Sequence, residues 1–207
     1  MSPKFSEGTV ELAVIDYFRE LGYTYLHGEV IAPDGPAPER AAWSDVILER
    51  RLQAALTRIN PHLPSEAHEQ AARRVLVSSE PGLFQSNRAF HKALANGVDV
   101  EYRRPDGRIK GDKCWLVDFD DPARNDWLVV NQMTVIDGKT KRRPDLVLFI
   151  NGIPLGLFEL KNPGDENATI KGAYNQLRTY IDQVPRLFHT NELLGRGVAP
   201  EIGRAHV

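Results

Sequence analysis

The sequence predicts an α/β fold in which several helices come first and a run of β-strands with one further helix follows. Apolar residues recur at helical spacing in the N-terminal half, whereas later segments are short, apolar and separated by turn residues. The predicted helices span residues 11–21, 44–59, 65–77, 86–95 and 167–182. The predicted strands span residues 98–102, 115–119, 127–135, 145–150 and 153–161.

Start and stop signals support the helices in order. The first ends before Gly22, a residue type that readily follows a helix in the left-handed conformation. Ser44 can cap the second helix, which Asn60-Pro61 stops, and Ser65 begins the third. These signals predict that residues 1–97 form a helical part ahead of the strands.

Turn pairs separate the strands. Asp106-Gly107 and Asp137-Gly138 are typical of tight turns, and Asn151-Gly152 lies between the two most apolar runs of the chain. Those two runs therefore predict an antiparallel hairpin. Strands that are so continuously apolar are expected to be buried on both faces.

Composition fits one domain in a reducing compartment. The chain has 207 residues, a net charge of −2 and one cysteine, Cys114, which excludes an internal disulfide. A near-balanced charge excludes wholesale coating of nucleic acid but permits local basic patches. No apolar run reaches the roughly 18 residues that a membrane span needs, and the N-terminus is unlike a signal peptide. We expect a cytoplasmic protein with no membrane contact.

Three charged residues interrupt the apolar hairpin. Asp145 begins its first strand, and Glu159 and Lys161 end its second. Side chains alternate along a strand, so Glu159 and Lys161 project from one face. Burying a charged side chain without a compensating partner costs roughly several kcal/mol of folding free energy. The three residues are therefore expected to have partners or a function.

The register of the hairpin decides whether Asp145 faces Glu159. A plain two-residue turn at Asn151-Gly152 would pair Asp145 with Phe158 and leave the two carboxylates on opposite faces. One extra residue on the second strand restores the match. We therefore predict a bulged or three-residue connection, with the irregularity within residues 152–154, and not a minimal hairpin.

In the matched register the two carboxylates could share one Mg²⁺. Opposed Cβ atoms lie about 4.5–5.5 Å apart, and Mg²⁺ prefers oxygen ligands. Such an ion polarises a phosphodiester and activates a bound water, while Lys161 can position that water. The competing interpretation is structural: Asp145 caps a strand, and Glu159 and Lys161 form an ion pair on an edge strand.

Two neighbouring features favour the functional interpretation. Gln176 and Tyr180 lie four residues apart on one face of the predicted helix that follows the hairpin, where they could reach a phosphate or the charged cluster. A solvated helix face with a half-buried tyrosine is the alternative. A basic run precedes Asp145 and suits a polyanionic backbone; it consists of Lys139, Lys141, Arg142 and Arg143.

These residues carry a resemblance. The chain resembles the N-terminal nuclease region of the R (restriction and motor) subunit of type I restriction enzymes. The combination of Arg-Pro-Asp, Phe-Glu-Leu-Lys-Asn-Pro and a downstream Gln-x-x-x-Tyr is specific. The matching stretches are residues 87–98, 116–135, 142–155, 158–163 and 173–180.

The resemblance implies a restriction-endonuclease-like PD-(D/E)xK fold, a mixed sheet flanked by helices with N-terminal helical additions. It implies that Asp145, Glu159 and Lys161 are catalytic, that Asp145 and Glu159 bind Mg²⁺, and that Gln176 and Tyr180 form an accessory motif. It further implies cleavage of double-stranded DNA, methyltransferase and specificity subunits as partners, and ATP used only by a motor domain beyond this chain.

Two other functions remain open: a non-catalytic docking module for the restriction complex, and a repair or recombination nuclease of the same fold. Glu11 is a further candidate residue, because nucleases of this fold often bring an acidic side chain from an N-terminal helix to the metal. An exposed surface position is the competing interpretation for Glu11.

The C-terminal residues depart from the resemblance. We assign residues 98–194 to the nuclease core and residues 195–207 to a tail, of which residues 201–207 read like one frame of a sequencing-adapter oligonucleotide. We expect the natural protein to be much longer. We also expect a core strand beside the helix of Gln176 and Tyr180 to be missing here.

Overall fold

A computed structural model describes residues 7–78, 80–161 and 170–198; the side chains of residues 7, 161, 170 and 196–198 lie outside the description. The helices are α1 (Glu7–Glu20), α2 (Glu49–Ile59), α3 (Ser65–Leu76), α4 (Leu83–Asn96) and α5 (Ile170–Gln183). The strands are β1 (Thr24–His27), β2 (Val98–Arg103), β3 (Ile109–Cys114), β4 (Trp127–Asn131), β5 (Val135–Asp137), β6 (Thr140–Arg142), β7 (Leu146–Ile150), β8 (Ile153–Lys161) and β9 (Leu193–Val198).

A five-stranded sheet in the order β1-β4-β7-β8-β9 is the centre of the fold. The outer pairs β1–β4 and β8–β9 are parallel, and β4–β7 and β7–β8 are antiparallel, so the sheet is mixed. The ribbons β2–β3 and β5–β6 stand outside it. The prediction of a mixed α/β fold is confirmed.

Helices cover both faces of this sheet. On one face, Val14 and Phe18 of α1 pack with Leu146 and Leu160. On the other face, Leu177 and Tyr180 of α5 pack with side chains of β4, β7 and β8, among them Leu157. Full burial of one leucine side chain contributes about 1.5–3 kcal/mol, so each helix is fixed firmly to its face.

The remaining helices form a separate cluster. Side chains of α2, α3 and α4 pack against the β2–β3 ribbon, with Leu52, Ala71, Phe90 and Val100 among its buried members. Within the described ranges, no helix is both long and apolar enough to cross a membrane.

The hairpin of β7 and β8 has the register that brings the carboxylates together, although it differs from the prediction in detail. Ile150 pairs with Ile153, so the turn is the minimal Asn151-Gly152, and φ values of 55° and 78° make it the type favoured in hairpins. The register then shifts between Leu148 and Phe149. The extra residue is Leu155, which lies just beyond the predicted segment 152–154. The predicted longer connection is wrong, and so is the predicted place of the bulge, although a bulge of one residue exists.

Two predicted segments are wrong for a physical reason. Residues 115–119 do not form a strand, because side-chain amides take the place of a neighbouring strand: Asn60 exchanges hydrogen bonds of 2.7 and 2.9 Å with the backbone of Trp115. Residues 127–135 do not form one strand, because Gln132 adopts a φ of 52° and ends β4.

Other bounds differ less. Helix α2 begins at Glu49 instead of Ser44, where the Leu48 N–H donates to the Gly152 carbonyl at 2.8 Å. Helix α3 agrees with its prediction and α4 begins three residues earlier than predicted. The predicted start of the last helix, residues 167–169, lies outside the described residues.

The strand that we expected to be missing is present. Strand β9 runs parallel to β8 and extends through the first residues of the segment 195–207. The expectation of an absent core strand beside α5 is therefore wrong. Residues 201–207 lie outside the described residues, and the adapter interpretation stays a prediction.

Candidate functional site

Asp145 lies directly before β7, at one end of the central sheet. Continuing the shifted register by one residue places it opposite Glu159. Its Oδ2 accepts a hydrogen bond of 2.7 Å from the Leu160 N–H, and its carbonyl accepts one of 3.0 Å from the Gln132 N–H. The half-buried carboxylate is thus held by β8, and the backbone of Asp145 is held by the residue that follows β4.

Glu159 lies inside the protein, with no exposed surface. It shares its face of β8 with Leu157, and that face is the one covered by α5. Removing a carboxylate from water is costly unless surrounding hydrogen bonds or positive charges compensate. A fully buried glutamate in the middle of a sheet therefore indicates a site with a specific electrostatic environment.

Helix α5 brings Gln176 and Tyr180 to this environment. The Gln176 Nε2 donates to the Tyr180 hydroxyl at 2.9 Å. Burial raises the pKa of Tyr180 to about 12, the hydrogen bond from Gln176 opposes this increase, and the negative charges of Glu159 and Asp145 add to it. Tyr180 is therefore protonated near neutral pH, and its hydroxyl lies within the field of both carboxylates.

The Lys161 side chain lies outside the description. Its backbone continues β8 and pairs with Val198 of β9. The predicted role of Lys161 stays a prediction.

A second set of polar residues meets Asp145 from the opposite side of the sheet. Glu11, on α1, is half-buried, and both of its carboxylate oxygens accept hydrogen bonds of 2.6 Å, from the Asn131 Nδ2 and the Gln132 Nε2. The Gln132 Nε2 also lies 3.5 Å from the Asp145 Oδ1. The interpretation of Glu11 as an exposed surface residue is therefore wrong.

Sequence reasoning missed Asn131 and Gln132. The sequence does contain a signal for them. The two amides directly follow the apolar run Trp127–Val130, and polar side chains do not contribute to the apolar packing of a buried strand. Polar residues at the end of a buried strand are placed to act at the edge of the sheet.

The predicted basic run lies beside the site as one wall of a groove. Lys141, Arg142 and Arg143 face Gln176, Thr179 and Tyr180 of α5 across a cavity of about 420 Å³. The Arg142 guanidinium lies 6.0 Å from the centre of the Tyr180 ring and donates to the Gln183 side chain, which ties β6 to α5. Lys139 is exposed at the preceding turn and is not part of this groove.

The carboxylates at this end of the sheet are potential ligands of a metal ion. In residues 7–78, 80–161 and 170–198, no three or more His, Cys, Asp or Glu side chains form a group that could hold one. The carboxylates of Asp145 and Glu159 lie opposite each other in the register, whereas the Glu11 carboxylate lies beyond the Gln132 amide. Mg²⁺ commonly binds one or two carboxylates and fills its remaining positions with water and substrate phosphate, so this pair fits Mg²⁺ and not a closed all-protein site.

Comparisons with known proteins show which family the chain belongs to. A family model described as Type I restriction enzyme R protein N terminus matches residues 4–200. The chain is 33% identical over 201 residues to the type I restriction enzyme HindI endonuclease subunit of Haemophilus influenzae. It is 36% identical over 188 residues to a Methanocaldococcus jannaschii protein whose name assigns it, provisionally, to the endonuclease subunit of the type I restriction enzyme MjaIXP.

The matches cover most of this chain but little of the relatives. They take in 96% of the chain and 19% of the H. influenzae protein, and 89% of the chain and 18% of the M. jannaschii protein. The chain therefore spans about a fifth of the length of these relatives.

Proposed function

Because the chain belongs to the family of type I restriction enzyme R protein N termini, we propose that it is an Mg²⁺-dependent DNA endonuclease domain of the PD-(D/E)xK type. One observation carries the proposal: the bulged register aligns Asp145 with Glu159 at the end of the sheet, next to the half-buried Gln176 and the buried Tyr180. A plain hairpin would have separated the carboxylates.

Each residue has a proposed role in phosphodiester hydrolysis. Asp145 and Glu159 would hold Mg²⁺, which when bound polarises the phosphate and lowers the pKa of a water molecule. Lys161 would orient the attacking water. Tyr180, kept protonated by its raised pKa, would donate a hydrogen bond to the acidic cluster, and Gln176 fixes the orientation of its hydroxyl.

The substrate is proposed from charge. The groove of Lys141, Arg142 and Arg143 is also lined by Tyr180, whose hydroxyl lies in the field of both carboxylates. Cationic side chains that neutralise successive phosphates supply most of the sequence-independent affinity for DNA. The groove thus supports double-stranded DNA as substrate, with base recognition left to another subunit.

The remaining properties are proposed for the whole protein. An R subunit would act with methyltransferase and specificity subunits in the cytoplasm, and a motor domain beyond this chain would couple ATP hydrolysis to DNA translocation. A docking module without catalysis and a repair or recombination nuclease of the same fold are the competing functions.

The test is cleavage of plasmid DNA by the full-length protein assembled with its partner subunits. With Mg²⁺ the wild type should cut, whereas Glu159→Gln should lower the rate by about 100-fold or more, because metal-ion catalysis supplies several kcal/mol. The control is Glu66→Gln on α3, an exposed glutamate that should leave the rate unchanged. Equal cleavage by wild type and Glu159→Gln would contradict the proposal. Assembly without cleavage by any variant would favour the docking module.

A further inference from the structure

We infer that Gln132 is a positioning residue that orients the Asp145 carboxylate and couples it to Glu11 on α1. The inference rests on the proposed function, since it assumes that Asp145 binds the metal. Gln132 itself has no proposed contact with the metal or with DNA.

The backbone of Gln132 is held in an unfavourable conformation. Its φ of 52° lies in the left-handed region, which residues with a Cβ rarely adopt. Neighbouring contacts maintain it: the Gln132 N–H donates to the Asp145 carbonyl at 3.0 Å, and the Gly28 N–H donates to the Asn131 carbonyl at 2.8 Å.

Gly28 allows this close approach. A Cβ at Gly28 would lie 2.6 Å from the Gln132 carbonyl oxygen and 2.7 Å from the Met133 Cα. The segment is therefore clamped between the end of β1 and the start of β7. These contacts fix the backbone position of Gln132, and with it the direction in which its side chain extends toward Asp145.

The side chain then bridges two carboxylates. Its Nε2 carries two hydrogens and lies 2.6 Å from the Glu11 Oε2 and 3.5 Å from the Asp145 Oδ1. The Asn131 Nδ2 donates to the other oxygen of Glu11, and the Tyr25 hydroxyl donates to the Asn131 Oδ1 at 3.0 Å. Glu11 is thus an anchored acceptor that holds the Gln132 amide in place.

The consequence concerns Asp145. Leu160 orients the Oδ2 of this carboxylate, and Gln132 faces the Oδ1. Together they fix the plane of the carboxylate before an ion arrives, while the neutral amide separates two like charges. Groups that orient a metal ligand in this way commonly change metal affinity by about 10- to 100-fold.

The test is titration of Mg²⁺ into the 207-residue chain, followed by calorimetry, with thermal unfolding recorded for each variant. Gln132→Met keeps the length of the side chain and still requires the left-handed backbone conformation, but it removes both N–H donors of the amide. Gln132→Gly removes the donors and relieves the left-handed conformation. The control is Gln53→Met, an exposed glutamine on α2.

We expect both Gln132 variants to weaken Mg²⁺ binding by about tenfold, and the control to bind as the wild type does. Gln132→Gly keeps the measurement possible if Gln132→Met fails to fold. A lowered unfolding temperature with unchanged affinity would show a merely structural role and overturn the inference alone. A wild type that binds no Mg²⁺ would contradict the proposed function, and with it this inference.

Discussion

Helices α5 and α1 flank the same end of the central sheet, yet they reach the candidate site in different ways. Helix α5 contributes the half-buried Gln176 and the buried Tyr180, which is only 5% exposed. Helix α1 contributes one half-buried carboxylate, Glu11, whose contacts run through the amides of Asn131 and Gln132.

The two helices therefore influence the carboxylates differently, one directly and one through a neutral amide. On the α5 side, the tyrosine lies directly in the field of Glu159 and Asp145, so a change there alters the charged cluster itself. On the α1 side, the neutral amide of Gln132 lies between Glu11 and Asp145. A change there therefore alters chiefly the orientation of the Asp145 carboxylate. Substitutions on the α5 side should therefore have the larger effects.

The largest effect is expected from deleting Leu155, the bulge residue of β8. The register would move by one residue, and Glu159 would turn from the α5 face to the α1 face. A carboxylate among the apolar side chains of α1 is unfavourable, so we expect the variant to unfold or to lose Mg²⁺ binding. Thermal unfolding and calorimetry measure both. A stable variant with wild-type affinity would contradict the role of the bulge.

The next largest effect is expected from Tyr180→Phe. Losing the hydroxyl between Gln176 and the carboxylates should lower the free energy of unfolding by about 1–2 kcal/mol. Tyr17→Phe, an exposed tyrosine on α1, should be neutral. Chemical denaturation compares the two, and equal small effects would show that the hydroxyl has no structural part.

Tyr180→Phe should also change the alkaline behaviour. The pKa of Tyr180 is raised from 10.0 to about 12 in the folded protein, chiefly by burial. Its contribution to stability is therefore complete below about pH 10 and is lost as the pH rises through about 12. Unfolding free energies measured between these pH values should fall less steeply for Tyr180→Phe. An unchanged slope would contradict the burial of this hydroxyl.

A smaller effect is expected from Glu11→Gln on the α1 side. The substitution leaves one amide group facing two amide donors, which should lower the free energy of unfolding by about 1 kcal/mol. Glu20→Gln in the exposed last turn of the same helix is the matched control. If the two variants denature alike, the contacts of Glu11 contribute nothing.

The smallest effects are expected in the basic groove. Arg143→Gln should weaken binding of double-stranded DNA a few-fold and lower the salt dependence of the affinity by about one phosphate contact. Lys139→Gln, from the same run but outside the groove, should change both less. Fluorescence anisotropy at several salt concentrations measures the affinity of both variants for DNA. A larger loss of affinity for Lys139→Gln would show that the DNA does not bind in this groove.

The hairpin was predictable because its information is local. Asn151-Gly152 specifies the turn, and the requirement that Asp145 face Glu159 demands one extra residue. The position of that residue was not predictable, because Leu155 and its neighbours are all compatible with a strand. Packing against the rest of the sheet selects between them.

The α1 side was not predictable, because its contacts join residues far apart in sequence. Glu11 meets Asn131 and Gln132 only after β1 and β4 have paired, and β1 is a strand of four residues with no clear signal of its own. Strand β9 was missed because glycines interrupt it at residues 195 and 197. Its pairing with β8, and not its own propensity, makes it a strand.

The central claim is that Asp145 and Glu159 bind one shared Mg²⁺. Calorimetric titration of the wild type, Asp145→Asn, Glu159→Gln and the double variant tests it most directly. We predict one ion per wild-type chain, a loss of affinity of about tenfold or more in each single variant, and no further loss in the double variant, since ligands of one ion are not additive. Two single variants that each bind like the wild type, or whose losses add in the double variant, would contradict the shared ion.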